Sequence, residues 1–149
     1  MIDREAVLAL MEESAAVYLA TVDGAVPRIR ALVNLRRRDQ FPGPSEFCRR
    51  EGRTVYLSTS AASSKVREIR ANPEATVYYC DPGSVRGISL SGRMEVLTDP
   101  GLKRALWSDS WRVYWAGPDD PDYVVLRMEP TGAEGWWGTG PVEIEVGSL

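Results

Sequence analysis

The chain has 149 residues, 44% of them hydrophobic and 26% charged, with a formal net charge of -3. These values suit one soluble globular domain over residues 1–149 and argue against a general nucleic-acid binder. The chain contains no histidine, which excludes Ser-His-Asp hydrolysis, Cys-His proteolysis and imidazole-ligated metal sites, so no metal is expected.

No apolar run is long enough to span a membrane. Asp3 and Glu5 interrupt the N-terminus, where an export signal would need an apolar core, so the expected location is cytoplasmic. In that setting Cys48 and Cys80 read as free thiols.

Residues 3–13 predict a helix, with Asp3 as cap and Val7, Leu8 and Met11 as its apolar stripe. A strand follows over 16–22. Asp23-Gly24 is a hairpin signal, and the return strand runs over 26–35. Strand alternation puts Arg28, Arg30, Leu32 and Asn34 on one face, and Ile29, Ala31, Val33 and Leu35 on the other. Two arginines on one face repel unless solvent or an anion separates them. Residues 36–52 read as a polar loop with a short helix near 45–50, and Arg36-Arg37-Arg38 as a solvated basic run.

The stretch 55–73, VYLSTSAASSKVREIRANP, carries the clearest chemistry. Val55-Tyr56-Leu57 begins a strand. A hydroxyl-rich turn follows, and then a helix with Lys65 in its first turn and Pro73 beyond its end. A helix start with hydroxyls and a lysine suits a phosphate. The alternative is an ordinary Ser63 or Ser64 cap beside a solvated lysine.

Residues 75–80 read as a strand, and 87–97 as an alternating strand in which Gly92 implies a bend or a close backbone approach. Asp99-Pro100 opens a helix. The aromatic run Trp107, Trp111, Tyr114, Trp115 reads as core or interface packing, with a ligand-stacking wall as the alternative. Residues 123–129 form a strand, and 142–146 a last strand or tail. Six to seven strands joined by short turns predict an α+β fold. Its expected core is a mainly antiparallel split β-barrel flanked by short helices.

Four segments carry a family resemblance: LATVDGAVPRIRALVNL, VYLSTSAASSKVREIRANPEATVYYCD, ISLSGRMEVLTD, and a tail with Trp107, Trp111, Tyr114, GPDDPDYVVLRMEP and a terminal Trp pair. In this order they resemble the FMN-binding split-barrel family, the pyridoxamine 5′-phosphate oxidase-like flavoproteins, and within it the general-stress-protein branch. The resemblance implies an FMN cofactor. Its phosphate would be held by Arg30, with Arg28 assisting, and by Ser58, Thr59, Ser64 and Lys65. The backbone of Ala31, Leu32 and Val33 would lie along the isoalloxazine, and Trp136 or Trp137 would close the site from the other subunit of a homodimer. The implied activity is that of an oxidoreductase of unknown substrate, drawing on a reduced nicotinamide or a similar donor. A non-catalytic flavin carrier, sensor or store, and a deazaflavin coenzyme on the same fold, are the alternatives.

The resemblance is not complete. Pyridoxamine 5′-phosphate oxidases proper use a histidine and a basic C-terminal motif that this chain lacks, and Leu35 stands where they carry a lysine. Oxidation of pyridoxamine phosphate is therefore not expected, and no catalytic side chain is assigned.

Overall fold

The computed structural model describes residues 2–149. Helix α1 (Arg4–Glu13) starts where Asp3 accepts a hydrogen bond from the Ala6 N–H, and it buries Val7, Leu10 and Met11. Strands β1 (Val17–Asp23) and β2 (Val26–Leu32) form a hairpin through Gly24, whose φ of 61° suits a residue without Cβ.

Strand β2 is shorter than its alternation suggested. It ends at Leu32, so Leu35 no longer shares a face with Ile29: Ile29 is exposed and Leu35 is buried in a second core. Asn34 makes the break, because its side-chain amide donates to the Met11 and Ser14 carbonyls and its oxygen accepts the Arg36 N–H.

Within 36–52 the short helix read near 45–50 is present and starts earlier, at Pro42. This is helix α2 (Pro42–Arg50), with Pro42 at the start where a missing N–H is harmless. The basic run is not all solvated. Arg36 is buried, with its guanidinium donating to the Gly52 and Thr54 carbonyls. Arg37 pairs with Asp39, and Arg38 is exposed.

The remaining elements are β3 (Val55–Ser60), α3 (Ser64–Ala71), β4 (Glu74–Asp81), β5 (Arg86–Leu97), α4 (Pro100–Ala105), β6 (Tyr123–Trp137) and β7 (Gly140–Val142). All strand pairs are antiparallel, in the order β2-β1-β4-β5-β6-β3, with β7 added to β6. The curled sheet forms a half-barrel flanked by short helices. Strands β2 and β3 are its two edges.

Strand β6 is one 15-residue strand, where a break after Glu129 and a last strand over 142–146 were expected. Pro130 is tolerated because the register with β5 shifts at Ser91/Gly92, which leaves a bulge at Thr131, next to the proline. A Cβ on Gly92 would come within 2.8 Å of the Glu129 carbonyl, so the close approach read from the sequence is real. The barrel core holds Leu19, Leu57, Val77, Leu90 and Leu126 with the α1 and α3 stripes. A second core joins Leu35, Phe41, Cys48, Tyr56, Trp111 and Tyr123 on the other face of β3 and β6. Among the described residues no helix is long and apolar enough to cross a membrane.

Candidate functional site

A cavity of about 450 Å³ opens where the two edge strands of the half-barrel face each other. One wall is Ala31, Leu32 and Val33 at the end of β2. The opposite wall is Ser58, Thr59 and Ser60 at the end of β3, with Ser63 and Lys65 of the turn and helix that follow. Trp111, Tyr114 and Trp115 complete the lining. An edge strand leaves alternate N–H and C=O groups without sheet partners, so the β2 wall offers main-chain donors and acceptors.

The polar end lies at the start of α3. Ser63 is its N-cap residue in position but makes no side-chain cap bond. Its Oγ is shut off from solvent and has no partner among the described residues. A buried hydroxyl without a partner costs free energy, so its environment suits an added acceptor. Lys65 Nζ donates to Thr59 Oγ1 at 3.0 Å. Burial lowers the Lys65 pKa, the nearby Arg30 lowers it further, and Glu68 opposes them.

Arg30 stands beside Lys65 without lining the cavity. Its guanidinium donates to Thr21 Oγ1 at 2.7 Å and to Glu68 Oε1 at 2.8 Å. Thr21 also donates to that carboxylate oxygen at 2.8 Å. The anion facing this arginine is thus a carboxylate of the chain itself. Hydrogen bonds from Thr21 and then Arg30 hold the Glu68 carboxyl below its usual range, against the effect of burial. Arg28 faces solvent and pairs with Asp23 at 3.4 Å.

The other residues singled out in the sequence fall as follows. Ser58 is spent internally: its Oγ lies 3.1 Å from the Tyr123 hydroxyl and within reach of the Leu106 carbonyl. Burial pushes Tyr123 up to about 12, with the Ser58 contact opposing, so the phenol stays protonated and donates to the Lys103 carbonyl. Ser64 is exposed and outside the lining, whereas its neighbour Ser63 is inside. Trp136 and Trp137 alternate along β6. Trp137 packs on the barrel core under the Arg86 guanidinium, and Trp136 is 46% exposed. Trp136 lines a separate cavity of about 510 Å³ with Tyr78, Cys80, Val85 and Arg86.

Sequence reasoning missed Glu68 and left the aromatic wall as the weaker alternative. The signal for Glu68 was present: it lies between Val66 and Ile69 on the buried stripe, where a carboxylate needs a partner. The aromatic run packs in the second core and also lines the cavity. Trp111 and Trp115 pack edge to face at 6.1 Å in the second core, and both reach the cavity. Asp122 ties this wall to the hydroxyl-rich turn, accepting from Trp115 Nε1 at 3.3 Å and from the Ala62 N–H at 3.2 Å.

Known proteins share the fold of this chain. The family model described as pyridoxamine 5′-phosphate oxidase matches residues 3–137. General stress protein 26 of Bacillus subtilis (strain 168) is 30% identical over 83 residues. That match takes in 54% of this chain and spans 59% of the relative's length. A Clostridium acetobutylicum protein related to general stress protein 26 superposes with a TM-score of 0.77 at 24% identity, covering 98% of each chain. An FMN-binding protein of Nostoc punctiforme PCC 73102, related to pyridoxamine 5′-phosphate oxidase, gives a TM-score of 0.68 at 16% identity, over 93% of this chain and 87% of that one. At these identities the two structural likenesses speak for the fold.

Proposed function

This chain belongs to the pyridoxamine 5′-phosphate oxidase family, and from that premise we propose that it is an FMN-binding flavoprotein acting as an oxidoreductase. The observation that carries the reading is the unpartnered Ser63 Oγ beside Lys65 and Thr59, at the polar end of a cavity between two sheet edges. A phosphate monoester suits that end: it supplies acceptors for the Ser63 hydroxyl, the Lys65 ammonium and the first-turn N–H groups of α3. Arg30 adds a second cation at the side.

When bound, FMN would supply the electron-transfer chemistry, and the chain positions it and excludes water. The main-chain groups at the end of β2 suit the polar edge of the isoalloxazine. Trp111, Tyr114 and Trp115 offer apolar faces for a planar ring or for the substrate beside it. The substrate is a small molecule, with a reduced nicotinamide as donor. Leu35 is buried among apolar and aromatic side chains of the second core, where a charged lysine would be costly. This supports a substrate other than pyridoxamine phosphate.

We place the cofactor between two copies of the chain, with Trp136 of one copy closing the cavity of the other. The exposed apolar side chains Ile29 and Val33 on the β2 side support such a dimer.

The test is the absorption spectrum of purified protein, with mass spectrometry of the ligand that heat releases, followed by titration of the emptied protein with FMN. Lys65→Ala should weaken FMN binding roughly 10- to 100-fold, the equivalent of one charge-assisted hydrogen bond. Full FMN affinity in Lys65→Ala and in Ser63→Ala alike would overturn the phosphate site. A released deazaflavin would keep the cavity and replace the cofactor. Reduction of bound FMN by NADH or NADPH, no faster than that of free FMN, would replace the oxidoreductase with a flavin carrier.

A further inference from the structure

Outside the cavity lining, the most completely buried charged residue among the described residues is unaccounted for by the proposed site. Glu68 is on α3, one turn after Lys65, and its side chain is 3% exposed. Its Oε1 takes two hydrogen bonds at 2.8 Å, from Thr21 of β1 and Arg30 of β2. Among the described residues its Oε2 meets the solvent-facing Arg67, at 3.6 Å. Thr21 is itself buried and accepts from Arg30 at 2.7 Å. Three elements therefore converge on one guanidinium, which keeps 22% of its side chain exposed.

The arrangement is more than a surface ion pair. Burial is the main cause of the lowered Lys65 pKa, and repulsion from Arg30 adds to it. Left alone, the long arginine side chain would swing toward solvent. Its terminal amino groups are instead fixed by Thr21 and Glu68, and neither the Nε–H nor every terminal N–H is used by these bonds. A planar guanidinium held by two of its donors has the direction of the others set as well.

We propose that Glu68 is a positioning residue for the phosphate contact: with Thr21 it holds the Arg30 guanidinium beside the Lys65 ammonium, so that both cations act on one phosphate monoester. The proposal rests on the phosphate reading given above. In it Glu68 touches no ligand and acts only through Arg30. Its negative charge lies behind the arginine and limits the repulsion of the two cations when no phosphate is bound.

The experiment compares FMN with riboflavin, which lacks the phosphate, by titration of the emptied protein. Glu68→Ala should weaken FMN binding about tenfold or more and leave riboflavin binding nearly unchanged. Glu68→Gln keeps an oxygen acceptor for Thr21 and Arg30 and should restore most of the FMN affinity. A purely structural role would weaken both ligands together, and that result overturns the proposal. So does an unchanged FMN affinity in Glu68→Ala when Lys65→Ala has lost it. If Glu68→Ala does not fold, Thr21→Val removes the bridging hydroxyl and must show the same loss confined to FMN; equal affinities there overturn the proposal too. Failure of the phosphate reading itself looks different, because Lys65→Ala and Ser63→Ala would then both bind FMN normally.

Discussion

A carboxylate shut away from water keeps its charge only when cations and donors face it. Glu68 meets that condition through Thr21 and Arg30, and the consequence can be read in acid. In the unfolded chain its carboxyl titrates near the ordinary value of 4.5, and in the fold it is held lower. Between those two values the unfolded state binds more protons, so stability rises with pH there. The contribution is complete above the unfolded value and is lost as pH falls through the folded one. Glu68→Gln imitates the protonated group. We expect its melting temperature to lie below that of the wild type near pH 7 and to converge with it as the pH falls through the folded-state value. A gap of the same size above and below that value would show that the bonds to Thr21 and Arg30 do not depend on charge. Cys48 shows the opposite treatment of an ionisable group: nothing cationic outweighs its burial, and the thiol is pushed up to about 11.

At the scale of elements, β5 and β6 carry the longest ladder of the sheet, and Gly92 is where it bends. Gly92→Ala would drive a methyl against the Glu129 carbonyl and the Met128 side chain. The expected loss is about 1–3 kcal/mol, measured as a fall in melting temperature of several degrees; an unchanged melting temperature would mean that the bulge relaxes without cost. This strand was legible in the sequence because Ile88, Leu90 and Met94 alternate with Ser89, Ser91 and Arg93, and only one side faces the core. In the stretch 36–52 the short helix near 45–50 was legible, but its earlier start was not. The helix begins with Pro42-Gly43-Pro44, poor helix formers, and owes its place to Phe47 packing on Tyr56 and to Phe41 packing on Trp111, which is distant in the chain. Arg36 looked solvated because no local pattern shows that the Gly52 and Thr54 carbonyls turn inward to meet it. In the site, Thr59 and Lys65 were readable from residue type and order. The choice of Ser63 over Ser64 depended on the exact first residue of α3, and the partner of Arg30 depended on a strand–helix contact.

At the scale of the whole molecule, the half-barrel presents Ile29 at 72% exposure on an edge strand, with Trp136 and Tyr78 also showing large apolar area. Open edges with apolar side chains invite a second chain. If two copies enclose the cofactor, Ile29→Asp should shift sedimentation from dimer toward monomer and lower FMN retention with it. A monomeric wild type that binds FMN fully would remove the dimer from the reading.

The last strand partnership has a consequence for how the chain reaches this state. Strand β3 has no neighbour in the sheet except β6, whose first residue follows the last of β3 by some sixty positions. On a ribosome, β3 emerges early and waits with both edges open until the segment from Tyr123 has been made. Pairing over such a separation is slow, and an unpaired apolar strand is prone to aggregation meanwhile. The turn that follows β3, with Ser63 and Lys65, acquires its opposite wall only at that late step. Phosphate-dependent flavin capture should therefore grow in with the slowest refolding phase, as stopped-flow flavin fluorescence would record, and capture in an early phase would mean that β3 and its turn are ordered before β6 arrives.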